Sequence, residues 1–401
     1  MNIIFLTVSR IKEIKSRGIY TDLMRKFRDE GHNVYIVTPY ERQFALSTSL
    51  SEIDGVHLLG VRTLNIQKTN VIEKGIGIIL LESQFNRAIK KYLGHIAFDL
   101  ILYSTPPITF TNVVRYLKKR TPSAVSYLLL KDIFPQNAVD LGMFSKNSIF
   151  YRYFRYKEIC LYKHADYIGC MSPANVKFVL SHNNFLSHDR VEIAPNSIEL
   201  IENPTNIDRE SIRKKYNLPI DKPIFIYGGN LGKPQGIDFL IQCLDANCQR
   251  NDCYFFIVGN GTEYHKLKNW FTHIKPDNVS LFPRLPKGDY DALVQSCDVG
   301  LIFLDHRFQI PNYPSRLLSY LEYKIPIIAV TDVNTDIGII AEKNGYGYYC
   351  ESQWIEDFTA CVNKYITAPE TIREMGERGY QFLLDNYQVG NTYQKIISHI
   401  K

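Results

Sequence analysis

Residues 223–247 read PIFIYGGNLGKPQGIDFLIQCLDAN. The run Pro223–Tyr227 is apolar without alternation, as in a strand buried on both faces, and the spacing after Gly236 is that of an amphipathic helix. A strand, a tight turn and a helix in that order form the unit of a parallel sheet covered by helices. The turn holds Gly228, Gly229, Gly232 and Gly236. Glycines let backbone amides approach a phosphate, and the helix behind them offers unsatisfied N–H groups. Lys233 adds a point charge. The spacing is neither the G-x-G-x-x-G of a dinucleotide site nor the G-x-x-x-x-G-K-[ST] phosphate loop. Close packing explains the same glycines equally well, so the motif alone leaves both readings open.

Similar units extend on both sides. Cys253–Val258, Val279–Phe282, Val299–Phe303 and Pro326–Val330 read as further strands with helices between them. Upstream, Ile3–Val8, Val34–Thr38, Leu100–Tyr103, Ala124–Leu129 and Tyr167–Met171 repeat the pattern. Between the two series, Ile201–Lys222 is polar and carries Pro204 and Pro219, which suits an interdomain connection. The expectation is an α/β chain of two Rossmann-like parallel-sheet domains facing a central cleft, where loops and helix N-termini converge on ligands. A last helix is expected over Thr392–Ile400, after a break at Gly390.

The 401 residues are about twice a usual domain, and 45% hydrophobic with 22% charged residues is ordinary globular composition. Eight cysteines stand singly, without a C-x-x-C pair, as in a reducing compartment. Cys243, Cys248 and Cys253 are read as packing residues. The longest apolar run, Ile76–Leu81, has the length of one buried strand or helix core, far short of the about 18 residues of a membrane span. MNIIFLTVS reads as a first strand rather than a signal peptide, so a cytoplasmic chain is expected. The formal charge of +6 is uneven: residues 1–200 hold 26 Lys and Arg against 17 Asp and Glu, the remainder 21 against 24. That excess points to an anionic partner for the first half. Nucleic acid is not expected, because no RNA- or DNA-binding motif accompanies the charge.

A second element is Asn312-Tyr313-Pro314-Ser315-Arg316, followed by LLSYLEY. Proline near a helix start places the Ser315 and Arg316 amides at a helix N-terminus, a second anion-binding end after a sheet strand. Two such ends in one domain favour a diphosphate; a plain Ser-capped helix is the alternative.

Taken in order, GGNLGKPQG, VGNG (Val258–Gly261), NVSLFPRLP (Asn278–Pro286), CDVGLIF (Cys297–Phe303) and NYPSRLLSYLEYKIPIIA (Asn312–Ala329) resemble the C-terminal domain of GT-B glycosyltransferases of the retaining family four. IAPNSIE (Ile193–Glu199) is similar to that family's entry into its second domain. LKDIFPQNAVDLG (Leu130–Gly142) looks like a segment of bacterial enzymes that extend lipid-linked polysaccharide units. The resemblance implies an acceptor-binding domain over 1–200, with the 388–401 segment packing back on it, and a nucleotide-sugar-binding domain over 201–387. It implies retaining transfer of a sugar from a nucleotide sugar, usually UDP-linked, without metal or other cofactor. No D-x-D pair suited to holding a divalent ion on a diphosphate is apparent. Fixed cations and helix ends would then stabilise the leaving diphosphate: Gly229, Gly232, Lys233, Ser315 and Arg316. By position, Asn260, Arg284 and Leu285 stand where the family reads base and ribose, and Asn312 and Tyr313 join the donor side.

The family's two glutamates, eight positions apart, fall on Pro311 and Ser319. Glu322, one turn after Ser319, lies on the same helix face. The family's arginine and lysine of the phosphate turn fall on Asn230 and Gln235, which leaves that work to Lys233. With these changes a non-catalytic partner of a true enzyme, or a UDP-sugar epimerase on the same architecture, stays open as an alternative.

In the first half, Gly18 follows a basic loop and precedes a helix, where a glycine lets backbone approach the donor. Asp132 ends a strand and is a candidate to bond an acceptor hydroxyl or support charge on the sugar; Lys131 takes the place of the family's histidine. SIFYRYFRYKEICLYKHA (Ser148–Ala165) sets Arg152, Arg155 and Lys163 on one side of a helix among aromatics. Such a face suits an anionic bilayer and an acceptor carried on a polyprenyl diphosphate, hence a peripheral position on the inner face of the cell membrane.

Overall fold

In the computed structural model, which describes residues 1–67, 69–201 and 207–400, the chain divides into two units. One is Met1–Glu199 with Gln388–Lys401, the other Leu200–Tyr387. Residues 202–206 of the expected connection, Pro204 among them, and Lys401 of the 388–401 segment lie outside the described residues.

In the first unit the chain runs β1 (Asn2–Leu6), α1 (Ile19–Asp29), β2 (Asn33–Glu41), β3 (Ser49–Ile53), β4 (Val56–Thr63) and α2 (Val71–Tyr92). It continues through β5 (Leu100–Ser104), α3 (Thr111–Arg120), β6 (Val125–Leu130), α4 (Gln136–Asp140), α5 (Ile149–His164), β7 (Tyr167–Cys170), α6 (Pro173–His182) and β8 (Val191–Ile193). The sheet order is β3-β4-β2-β1-β5-β6-β7-β8, parallel except for the β3–β4 pair. Ile3, Phe5, Leu100 and Leu102 are fully buried, which is why these strands read as unbroken apolar runs. The β3–β4 hairpin was not expected. Its turn is Asp54-Gly55, both at positive φ (52° and 77°), a Asp-Gly signal that the search for continuous apolar strands passes over.

The second unit holds α7 (Arg209–Lys215), β9 (Ile224–Asn230), α8 (Ile237–Asn247), β10 (Tyr254–Asn260), α9 (Tyr264–Ile274), β11 (Val279–Phe282) and α10 (Lys287–Ser296). Then follow β12 (Val299–Phe303), α11 (Arg316–Glu322), β13 (Ile327–Thr331), α12 (Ile337–Lys343), β14 (Gly347–Glu351), α13 (Ile355–Thr367) and α14 (Thr371–Asn386). Its sheet is β11-β10-β9-β12-β13-β14, with every pairing parallel. In both sheets the strand order reverses beside the first strand: at β1–β5 in one unit and at β9–β12 in the other. Ligands of open parallel sheets bind beyond the carboxyl ends of the strands at such points.

The chain closes with α15 (Val389–Ile397) in the first unit. The expected break at Gly390 is absent: the helix starts at Val389, whose N–H donates to Ile198 O at 2.9 Å, and Tyr393 packs edge-on against Phe27 of α1. Tertiary burial overrides the glycine. Ile76–Leu81 is part of α2, and Ile76, Ile79 and Leu80 are exposed. Leu81 is fully buried, so the run is divided between the surface and the core side of one helix.

Candidate functional site

The β9–β12 reversal brings the glycine turn to the edge of the second sheet. Packing accounts for Gly228 in this turn and for Gly259 and Gly261 at the end of the neighbouring β10. A Cβ on Gly228 would meet the Tyr290 hydroxyl at 2.0 Å, one on Gly259 the Gly229 carbonyl at 1.9 Å, and one on Gly261 the Leu231 carbonyl at 2.3 Å. Gly229 differs. Its φ is +130°, a region closed to other residues, and the atoms nearest to a Cβ there belong to the Arg316 guanidinium, 3.5 Å away.

Asn230 and Gln235, the positions at which the resemblance led to an expectation of cations, bond to each other: Asn230 Nδ2 donates to Gln235 Oε1 at 2.7 Å. The same oxygen accepts from Gly232 N at 3.3 Å. Two neutral amides thus close the turn, and the Gly232 N–H is spent inside it. The charge comes from α11. Arg316 opens that helix, after Ser315 as its N-cap, whose side chain makes no capping bond. The guanidinium lies 4.4 Å from the centroid of the Tyr227 ring, and its Nη1 is buried without a hydrogen-bond partner. Tyr320, one turn on, donates to Ile226 O at 3.1 Å and accepts from Gly228 N at 3.3 Å. A buried guanidinium N–H without an acceptor is costly, and an anion is the natural acceptor for it.

The loop before α11 is pinned. Asn312 N donates to Thr335 Oγ1 at 3.0 Å, and its side chain to Ile310 O at 3.3 Å. The Tyr313 hydroxyl bonds that of Tyr387. Ser319 and Glu322 both lie on α11, half-buried. Lys233 opens the turn before α8 and is exposed. It lines a cavity of 570 Å³ with Asp238, Glu263, Lys266, Asp305 and Arg307. Lys266 pairs with Asp238 and Glu263, and Arg307 with Asp305, whereas Lys233 has no ion-pair partner among the described residues. Asn260 ends β10, its Oδ1 accepting from Gly261 N at 2.8 Å. Arg284 is exposed and Leu285 half-buried in the loop after β11. Asn260, Arg284 and Leu285 stand outside the contacts that join Gly229, Arg316 and Tyr227. The sequence does hold one D-x-D, Asp289-Tyr290-Asp291, on α10. Both carboxylates are taken by lysines, Asp289 by Lys215 and Asp291 by Lys287, each at 2.8 Å.

In the first unit, Lys131 and Asp132 follow β6, one strand from the β1–β5 reversal. Lys131 Nζ donates to Ala194 O at 3.2 Å, and burial lowers its ammonium to about 7. Burial pushes the Asp132 carboxyl up to about 6, against the Asn137 amide that donates to both of its oxygens at 2.8 and 2.9 Å. A lysine and a carboxyl both titrating near neutrality are suited to holding or passing a proton. Gly18 caps α1 with φ 173°, extended backbone open to any residue, and its N–H donates to Asp22 Oδ1 at 2.9 Å. That N–H is therefore used within the turn, and a close backbone approach to a donor at Gly18 stays an expectation.

The α5 face needs correction. Arg152 and Lys163 are exposed, Lys163 above the Phe185 ring at 5.3 Å. Arg155 turns inward to Glu158 at 2.5 Å, to His182 O at 2.9 Å and to Asn183 Oδ1 at 2.7 Å. Helical spacing counted it with its neighbours, but the buried Glu158 three residues on claims it. The tyrosines that frame Arg316 were not anticipated, although Tyr227 directly precedes the glycines and Tyr320 lies at i+4 from the arginine.

Residues 208–382 match the family model described as glycosyl transferases group 1. The chain is 26% identical over 234 residues to the probable glycosyltransferase WbjE of Pseudomonas aeruginosa, covering 56% of this chain and 55% of that one. It is 24% identical over 196 residues to the putative colanic acid biosynthesis glycosyl transferase WcaI of Escherichia coli, covering 47% and 48%. The match thus spans about half the length of these curated relatives. Among solved structures, Anabaena Alr3699/HepE in complex with UDP superimposes with a TM-score of 0.69 at 13% identity, over 99% of both chains. That likeness shows the fold, GT-B.

Proposed function

We propose that this chain, whose residues 208–382 match the group 1 glycosyl transferases and whose fold is GT-B, is a glycosyltransferase of bacterial polysaccharide synthesis that uses a UDP-sugar. The observation that carries the proposal is the Arg316 guanidinium, with an unpartnered buried N–H beside Gly229 at the β9–β12 reversal. It supplies a fixed cation where the leaving diphosphate gathers charge. The UDP held by Alr3699/HepE and the naming of WcaI for colanic acid biosynthesis support the donor and the pathway class. The acceptor is a saccharide on a polyprenyl diphosphate, met at an anionic membrane surface. Transfer retains configuration: the bond from the anomeric carbon to the UDP oxygen breaks, a bond to the acceptor oxygen forms on the same face, and the acceptor proton leaves on the diphosphate. Asp132 orients the acceptor hydroxyl. The first unit receives the acceptor and the second the donor, and no metal ion takes part; the lysines holding Asp289 and Asp291 support this last point.

The test is transfer from radiolabelled UDP-glucose, UDP-galactose and UDP-N-acetylglucosamine to bacterial lipid-linked saccharides in excess EDTA. Labelled lipid, lost with Asp132→Asn while UDP binding is kept, supports the proposal. UDP binding with no transfer and no donor hydrolysis favours a non-catalytic partner, which the neutral Asn230–Gln235 pair would suit. An epimerised UDP-sugar without transfer would make the chain an epimerase.

A further inference from the structure

Three helices of the first unit meet at Glu82, which is only 8% exposed. Its carboxylate accepts from the backbone N–H and the side-chain amide of Asn112 on α3, and pairs with Lys157 of α5 at 3.5 Å. The α2, α3 and α5 helices are thereby clasped into one continuous layer. Its outer surface is unusual for a water-facing layer, which ordinarily presents polar residues. Ile79 and Leu80 of α2 are exposed, as are Ile149, Phe150, Tyr153 and Tyr156 of α5, with Ile149 77% open. The first turn of α5 is well formed, since Ser148 Oγ accepts from Tyr151 N at 3.1 Å, so these side chains are displayed on a fixed helix.

Between α2 and α3 runs a groove of 700 Å³, lined by Ile79, Ser83, Asn86, Lys90, Arg115 and Lys119, among others. Lys90, Arg115 and Lys119 are exposed and have no carboxylate partner among the described residues; Lys90 instead lies 4.9 Å from the Tyr116 ring centroid. Asn86 Oδ1 is buried in the groove wall with no hydrogen-bond partner. An amide so placed is free to turn and donate its Nδ2 to an anionic oxygen. Three unpaired cations around a groove with an apolar lip have the chemistry of a phosphate joined to hydrocarbon.

We propose that this face docks on an anionic bilayer, with the α2 and α5 side chains entering the interface and the α2–α3 groove holding a phospholipid phosphate. It deepens the membrane part of the proposed function, and takes from that reading only the expectation that a membrane is met. Aliphatic and aromatic side chains interleaved with Lys and Arg match the charge and the amphipathic boundary of such a surface. The cations that the sequence alone singled out shift accordingly: Arg152 stays on the face, whereas Arg155 leaves it for Glu158.

Co-sedimentation of the full chain with vesicles tests this. Binding is expected to vesicles with about 30% phosphatidylglycerol, not to pure phosphatidylcholine, and to weaken in about 0.5 M salt. The double variants Ile149→Glu/Phe150→Glu and Arg115→Gln/Lys119→Gln should each reduce binding at least ~10-fold at an unchanged thermal midpoint, since all four side chains are exposed. Three results overturn the proposal: equal binding to neutral vesicles, unaltered binding by both variants, or groove-dependent binding of glycerol phosphate or polyglutamate without vesicle binding. UDP release from a UDP-sugar, measured without vesicles, separates the two readings. If both variants retain it and the vesicle result fails, the glycosyltransferase reading stands; if the wild type lacks it while groove-dependent vesicle binding holds, the docking face stands alone.

Discussion

The Arg316 guanidinium lies 4.4 Å from the centroid of the Tyr227 ring, and that ring belongs to the last buried side chain of β9 before the glycines. The stack fixes the guanidinium beside Gly229 while leaving Nη1 without a partner. Tyr227→Leu removes the aromatic face, an interaction of about 0.5–2 kcal/mol. UDP affinity should fall roughly 2- to 30-fold on that basis. Tyr227→Phe keeps the face and loses the hydroxyl, which bonds Asn230 O and interacts with the Arg316 guanidinium, so its affinity should fall less than that of Tyr227→Leu. Equal affinity in all three proteins would detach the stack from nucleotide binding.

Gly228 and Gly229 separate packing from function within one turn. Gly228→Ala drives a methyl into Tyr290 and should cost about 1–3 kcal/mol of stability as overpacking. Gly229→Ala meets the guanidinium only at ordinary contact distance, but its φ of +130° costs about 1–3 kcal/mol as backbone strain. Both should lower the thermal midpoint. Only Gly229→Ala should also weaken UDP binding in protein still folded at the assay temperature, and a matched loss of affinity in Gly228→Ala would contradict this division.

Much of the architecture is legible in the chain because its strands are buried on both faces. β11 and β12 fall on Val279–Phe282 and Val299–Phe303 as their apolar runs indicate. Half-exposed β3 carries no such run and escaped notice, although Asp54-Gly55 marked its turn. The candidate site was legible where a backbone feature marks it, at Gly229 and at the start of α11. It was not legible where the decisive fact is which partner a side chain takes in the folded chain. No spacing pairs Asn230 with Gln235 or sets Arg316 over Tyr227; Arg155 and Glu158 do stand at helical i,i+3 spacing, but it is the burial of Glu158 that takes Arg155 out of the cationic stripe.

Lys131 should make stability depend on pH. Its ammonium is lowered by burial to about 7 in the folded chain, against about 10.4 unfolded. The unfolded chain therefore binds more protons between those values, and this group's contribution to stability rises with pH across that window. Lys131→Met removes the burdened charge. The variant should gain on the order of 1–3 kcal/mol at pH 6, a figure reduced because the residue keeps some contact with solvent, and the gain should fade towards pH 10.5. Denaturant midpoints at the two pH values check this; the same gain at both would place the ammonium in water.

Arg155 and Arg152 should respond in opposite ways to truncation. Arg155→Ala leaves Glu158, 3% exposed, without its cation, and also removes the bonds to His182 O and Asn183. A loss of about 3–5 kcal/mol is expected for breaking a buried pair. Arg152→Ala, at an exposed site, should stay within about 0.5 kcal/mol of wild type. Thermal unfolding distinguishes them, and a neutral Arg155→Ala would return that residue to the surface stripe.

The central claim is that Arg316 supplies the fixed positive charge for a nucleotide diphosphate. Calorimetric titration of the wild type and of Arg316→Gln with UDP, in excess EDTA, tests it most directly. The account predicts saturable metal-free binding by the wild type, and a loss of about 1.5–3 kcal/mol in the variant, roughly 10- to 150-fold, at unchanged fold. Wild-type protein that does not bind UDP, or a variant that binds it equally well, would contradict the account.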